Sequence, residues 1–174
     1  MSQPDYSRFK KLVDNSLTEF KNRLTCSPPA PLEQSRLQDI YSAFVNFKGD
    51  GVDALFIVNA TLGSLRESGP PELKLNSVNQ DLTLDWVAEL TNLSLGAIRE
   101  SMARLGVFTT SGPPVGEKAK ERKVVVGEGD ICFTNTIEIG DFEVTTTTKA
   151  KVTPEFLDRL NGSSQESFQK VEVF

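Results

Sequence analysis

The side chains with the chemistry to hold a ligand cluster between residues 94 and 123. Arg99, Arg104, Lys118, Lys120, Arg122 and Lys123 supply positive charge, and Ser94 and Ser101 supply hydroxyl donors. These are the groups that contact phosphate oxygens. Residues 99–127 hold six cationic and three anionic side chains, a net of +3, within a chain of net charge −5. That contrast predicts one local polyanion-facing side. It argues against a general affinity for nucleic acid or an anionic membrane, because counterion release needs a concentrated positive surface. The same stretch offers a second chemistry: Leu95, Gly96 and Ala97 are apolar or small and suit a protein partner.

Catalytic constellations are missing. The chain has no His, and its two cysteines, Cys26 and Cys132, cannot by themselves make a structural zinc site. It shows no Gly-rich phosphate loop and no Ser-His-Asp or Cys-His arrangement. No catalytic, cofactor-binding or metal-binding residue is therefore expected, and the chain reads as non-enzymatic. Cys26 and Cys132 read as free thiols in a reducing compartment. With no signal segment and no apolar run of membrane-spanning length, the protein reads as cytoplasmic or nuclear, with no membrane partner.

The elements that must position residues 94–123 begin with two short helices over residues 82–108. In the first, Leu84, Val87, Ala88 and Leu90 repeat at helical spacing, with Asp81 or Thr83 as cap. Asn92 can adopt the left-handed conformation that closes a helix, and Ser94 can cap the next one. Leu95, Ile98, Met102 and Leu105 then form a second apolar face, with Arg99, Ser101 and Arg104 off it. Through Ala88, Leu93 and Ser94 this ordering resembles the helix-turn-helix of the winged-helix superfamily, over residues 72–160. The resemblance implies that Leu95, Gly96, Ala97, Arg99 and Glu100 face a DNA groove.

The rest of the chain divides by periodicity. Residues 6–24 place Tyr6, Phe9, Leu12, Val13, Leu17, Phe20 and Leu24 on one face of an amphipathic helix, able to pack within the chain or against a second copy. Prolines break residues 27–31 into a stiff connector. Residues 32–47 and 52–65 read as two further helices of an N-terminal helical unit spanning 32–71, although 55–58 could also be a strand. Residues 72–78 read as a short strand.

Residues 130–139 and 142–151 alternate with period two about Gly140-Asp141 and predict a hairpin. Counting from that turn pairs Ile139 with Phe142, Ile137 with Val144, Asn135 with Thr146, Phe133 with Thr148 and Ile131 with Ala150. It also sets Glu138 against Glu143, two carboxylates that repel at an exposed tip rather than form an acid and base. Residues 124–126 are expected to add a third strand. Thr153 should cap a short helix that ends at Asn161-Gly162, before a tail, 161–174, whose apolar end could add as a strand to a neighbour.

The expected class is α+β, a helical N-terminal unit followed by a winged-helix-like domain with a small antiparallel sheet. The expected function is non-catalytic association with DNA or RNA, as a regulator, through Ser94, Leu95, Arg99, Ser101, Arg104, Lys118, Lys120, Arg122 and Lys123. The alternative is a protein-interaction or self-assembly module, with residues 6–24 forming a homo-oligomer surface.

Overall fold

The computed structural model describes residues 6–75, 77–118 and 124–166. Its first helix, α1 (Ser7–Arg23), is the amphipathic helix that the sequence predicts. Phe9, Val13, Leu17 and Phe20 are buried in the core, so the aromatic stripe packs inside the chain and not against a second copy. Phe9 meets Phe133 and Phe156 edge-to-face, with ring centroids 5.6 and 5.1 Å apart.

The region expected to be helical, 32–71, departs most from its local pattern. After a one-turn helix, α2 (Gln34–Leu37), it forms two ten-residue strands, β1 (Ile40–Gly49) and β2 (Val52–Thr61). Asp50 (φ 41°) and Gly51 (φ 85°) turn them into a hairpin. An Asp-Gly pair satisfies a type I′ turn, whose two positive φ values match the twist of the flanking strands. A short helix, α3 (Leu62–Ser68), follows, capped by Thr61 Oγ1 accepting from Ser64 N at 3.2 Å.

Arg66 of α3 is 1% exposed. Its Nε donates to Leu73 O at 3.0 Å, and its Nη2 donates to Ala30 O at 2.9 Å and Leu75 O at 2.7 Å. One guanidinium therefore ties the proline connector to the 3-10 turn Pro71–Lys74, which replaces the strand expected at 72–78.

The predicted helix pair is a single helix, α4 (Gln80–Arg104), of 25 residues. Asn79 caps it, its Oδ1 accepting from Leu82 N at 3.1 Å. Asn92 and Ser94 lie mid-helix. Ser94 is buried and donates to Leu90 O at 2.7 Å, so its hydroxyl bonds back along the helix instead of starting a new one. The two apolar faces are one stripe through Val87, Leu90, Leu95, Ile98 and Met102, which keeps its phase across the supposed turn. Residues 80–104 therefore hold no helix-turn-helix.

Two short strands, β3 (Thr110–Ser111) and β4 (Val115–Lys118), pair with β1. Then β5 (Ile131–Ile139) and β6 (Phe142–Val152) form the predicted hairpin, in the predicted register from Ile139–Phe142 to Ile131–Ala150. Gly140 turns it with φ 57°, and Glu138 faces Glu143. The six described strands make one antiparallel sheet, ordered β3-β1-β2-β6-β5 with β4 also on β1. The hairpin is thus two strands of a six-stranded sheet and not a wing. Its neighbour is β2, while residues 124–126 form no strand and Val125 is 82% exposed.

The last helix, α5 (Pro154–Glu166), starts as expected, with Phe156 N donating to Thr153 Oγ1 at 3.3 Å. It runs past Asn161-Gly162, which do not end it. Residues 167–174, the expected tail strand, lie outside the described residues. One sheet face, carrying Tyr41, Val45, Phe56, Val58, Val144 and Ile137, forms a common core with α1, α4 and α5.

Candidate functional site

The described residues among those predicted to meet a polyanion do not share a surface. Arg99 is half-buried and stitches α4 to β3: Nη2 donates to Thr109 O at 2.6 Å and Nη1 to Ser111 Oγ at 3.2 Å. Ser101 Oγ lies 2.8 Å from Ser16 Oγ of α1 and donates to Ala97 O, a contact between packed helices. Leu95 is buried in the core with Ser94. Arg104 is exposed and bound to Glu100 at 2.7 Å; that hydrogen bond, then the Arg104 and Arg23 charges, lowers the Glu100 pKa.

Lys118 donates to Asp39 at 2.8 Å, which raises its own pKa, and sits 5.7 Å from the Tyr41 ring centroid. It is opposite Tyr41, whereas Ser111, Arg99's partner, is opposite Phe47. Six residues along a strand separate the two cations' anchor points by about 20 Å. Each described cation of the set is neutralised or engaged in packing, and the described ones are spread out. Lys120, Arg122 and Lys123 lie outside the described residues.

What the structure leaves open is the opposite side of α4. Because Thr83, Val87, Leu90, Thr91, Ser94, Ile98 and Met102 point inward, helical geometry aims Asp81, Asp85, Glu89, Asn92, Leu93 and Gly96 outward, and all six are exposed. Spacings of four and three residues stack Asp85, Glu89, Asn92 and Gly96 along a helix about 37 Å long. None of the Asp85, Glu89 or Asn92 side chains has a hydrogen-bond or ion-pair partner among the described residues.

Leu93, 41% exposed, gives this acidic strip an apolar flank. A Cβ at Gly96 would meet nothing within 4 Å. Packing therefore does not call for glycine there, although a glycine inside a helix costs about 0.5–1 kcal/mol relative to alanine. Its effect is to expose α4 backbone to close approach from outside. The chemistry on offer is a pair of carboxylates, a carboxamide that both donates and accepts, one apolar side chain and open backbone. Sequence periodicity holds this strip in plain view as the complement of the apolar stripe, but a reading centred on cations passes over it.

Other candidate groups are structural. Glu138 reaches Lys21 of α1 at 3.6 Å, so the carboxylate pair at the hairpin tip is braced by a cation. Cys26 and Cys132 are both free and exposed. Among the described residues no cluster of three His, Cys, Asp or Glu side chains could hold a metal ion, and no helix is long and apolar enough to cross a membrane.

No protein-family model and no curated protein matches the sequence. Solved structures do match the fold. CheX from Vibrio vulnificus superposes with a TM-score of 0.55 at 15% identity, covering 87% of this chain and 99% of that one. CheX from Borrelia burgdorferi, solved in complex with CheY, BeF3 and Mg2+, gives 0.53 at 15% identity over 86% and 99%. The FliM middle domain from H. pylori gives 0.53 at 12% identity over 92% and 99%. The winged-helix resemblance is thereby overturned, and the nucleic-acid regulator inferred from it loses its basis. The chain has the α+β fold of the CheX-like chemotaxis proteins and the FliM middle domain.

Proposed function

We propose that this chain is a protein-interaction module of the chemotaxis and flagellar-switch type, which seats a globular partner on the outer face of α4. The observation that carries this reading is the strip Asp85, Glu89, Asn92, Leu93 and Gly96, exposed on an otherwise packed helix, whose polar side chains have no hydrogen-bond or ion-pair partner among the described residues. A cationic rim on the partner would meet Asp85 and Glu89, and an apolar contact would cover Leu93. Rim charges set orientation and on-rate, while a central apolar anchor supplies most of the affinity. A protein of this fold has been solved with CheY bound, and a CheY-type receiver domain is the partner chemistry we assign.

The test is calorimetric titration of the full chain with purified CheY-type receiver domains, each alone and loaded with BeF3 and Mg2+. Binding should weaken at least tenfold in Leu93→Arg and stay unchanged in Lys118→Ala, which lies off the strip. Equal affinity of Leu93→Arg and wild type would overturn the assignment, as would no binding by any receiver.

One observation favours a second, catalytic reading. Glu89 and Asn92 place a free carboxylate and a free carboxamide one helical turn apart, and carboxamides position attacking water in phosphoryl transfer. A seated acyl phosphate would be hydrolysed by water held at Asn92: the new P–O bond forms as the bond to the partner's carboxylate breaks, releasing orthophosphate. Glu89 would fix the partner through a cationic side chain. Asn92→Ala should then slow orthophosphate release about a hundredfold with binding intact. If wild-type protein leaves the lifetime of the phosphorylated receiver unchanged, hydrolysis is refuted while docking stands.

A further inference from the structure

The inner face of the sheet meets its helices through two unlike contacts. Against α4, the strands β1 and β2 present Tyr41, Val45, Phe56 and Val58, all buried in the apolar core. Against α1, the β5–β6 hairpin presents polar side chains. Phe9 meets the Phe133 ring, Asp14 accepts from Asn135 Nδ2, and Lys21 reaches Glu138, so α1 runs along β5 in the same direction. Phe133 is opposite Thr148 and Asn135 opposite Thr146, and residues directly opposite share one face of a hairpin. Asn135, Thr146 and Thr148 therefore lie on the face that α1 covers, where they are 7%, 1% and 1% exposed.

Asn135 Oδ1, Thr146 Oγ1 and Thr148 Oγ1 are each sealed from solvent with no hydrogen-bond partner among the described residues. A buried oxygen in that state is destabilising by its desolvation, and the loss is recovered once water reaches it. The contact thus opposes itself. The stripe Phe9, Val13, Leu17 and Phe20 favours closure, and three oxygens favour opening.

The attachments of α1 let it open alone. Its ion pairs, Lys21 with Glu138 and Arg23 with Glu100, join exposed side chains at 3.6 Å, and such pairs contribute little. A groove of about 440 Å3, lined by Asp14, Thr18, Lys21, Asn135 and Glu138, already parts α1 from β5 along one side. Beyond the helix, Ser27 N donates to Glu67 O and Ala30 N to Lys74 O, which holds the proline connector in place. Between Arg23 and that fixed point stand Leu24, in extended conformation, and the exposed Thr25 and Cys26.

From these features we infer that α1 is a hinged flap. It lifts off β5 and β6 as one unit about residues 24–26, while the sheet, α4 and the proline connector stay folded. Lifting hydrates the three oxygens and carries Phe9, Val13, Leu17 and Phe20 out of the core. An interior helix then becomes an exposed amphipathic one, the form that a partner's apolar groove accepts.

Native-state hydrogen exchange of the full chain, read by mass spectrometry, tests the flap. In wild type the amides of α1 should exchange together, about tenfold or more faster than those of residues 87–102 in α4. The double variant Thr146→Val, Thr148→Val keeps the shape and branching of both side chains and removes two of the three oxygens. It should slow α1 exchange by about tenfold or more.

A second variant locks the flap. Ser16 Oγ of α1 lies 2.8 Å from Ser101 Oγ of α4, so Ser16→Cys with Ser101→Cys, in a Cys26→Ser, Cys132→Ser background, brings two thiols within disulfide reach. Oxidised, this variant should exchange α1 at the pace of α4; reduced, it should regain the wild-type difference. A wild type in which α1 and α4 exchange at one rate would overturn the inference. So would α1 exchange that neither the two valines nor the closed disulfide slows.

Discussion

The two long hairpins of the sheet have almost the same length, yet one shows its period in the sequence and the other hides it. In β5 the pattern is strict: Cys132, Thr134, Thr136 and Glu138 are exposed, and Ile131, Asn135, Ile137 and Ile139 are buried. Alternation there records a wet face and a dry one. In β1 and β2 consecutive residues are buried: Tyr41, Ser42 and Ala43 on one strand, Phe56, Ile57 and Val58 on the other. The outer face of this hairpin mixes the buried Ser42 and Ile57 and the half-buried Phe44 and Leu55 with the exposed Asn46, Lys48 and Asp53, so polar residues mark its period only near the turn. Its apolar positions then fit helical spacing as well as they fit a strand. Alternation therefore reports which part of a sheet meets water, and its absence is no argument for a helix.

If that contrast is sound, the central hairpin carries the stability and the edge hairpin less of it. Phe56→Ala, at a fully buried site, should lower the unfolding free energy by about 3–5 kcal/mol in urea titration. Phe133→Ala, half-buried at the edge, should lower it by clearly less. Equal losses would break the comparison.

A smaller effect is expected at the turn that the central hairpin needs. Gly51→Ala forces a side chain into a positive φ and against Thr153 Oγ1. Strain and overpacking together should cost about 2–4 kcal/mol. Gly106→Ala, with positive φ but open space around it, should show the strain alone.

The finest distinction appears in acid, at the entry to the edge hairpin. Asp130 accepts from Lys149 Nζ at 2.9 Å and from Gly127 N at 2.7 Å, and these two hydrogen bonds, the lysine's first, hold its folded pKa below the usual aspartate value. Its contribution to stability is complete above the unfolded value of about 3.9 and is lost as pH falls through the lower folded value. Urea midpoints measured from pH 5 downward should show that acid slope in wild type and a shallower one in Asp130→Asn.

Much of the fold was legible wherever a local signal met no tertiary rival. The stripe of α1, the register of β5 with β6 and the Thr153 cap follow from spacing and turn chemistry alone. The Asp50-Gly51 turn was equally legible, but the apolar run on either side of it obscured the hairpin. The continuity of α4 was not, because Asn92 and Ser94 are good cap residues and only the buried carbonyl of Leu90 shows where the Ser94 hydroxyl goes. The candidate site was misread for a related reason. Arg99 and Lys118 look free in sequence because their partners Thr109 and Asp39 appear only after folding, whereas the Glu100–Arg104 pair, four residues apart on one helix, could be read from spacing. The strip through Glu89 and Asn92 needed no partner to be found, only attention to what the apolar stripe leaves over.

The proline-rich stretch after α1 looks like a tether, and Arg66 makes it something else. Because one sequestered guanidinium grips carbonyls from both Ala30 and the 73–75 segment, neither can peel away without stranding a charge in the interior. Residues 27–31 therefore melt together with α3 rather than ahead of it. The amides of Ser27 and Ala30, which donate to Glu67 O and Lys74 O, should exchange with deuterium at the pace of that helix, and a protease should find no slack there to cut.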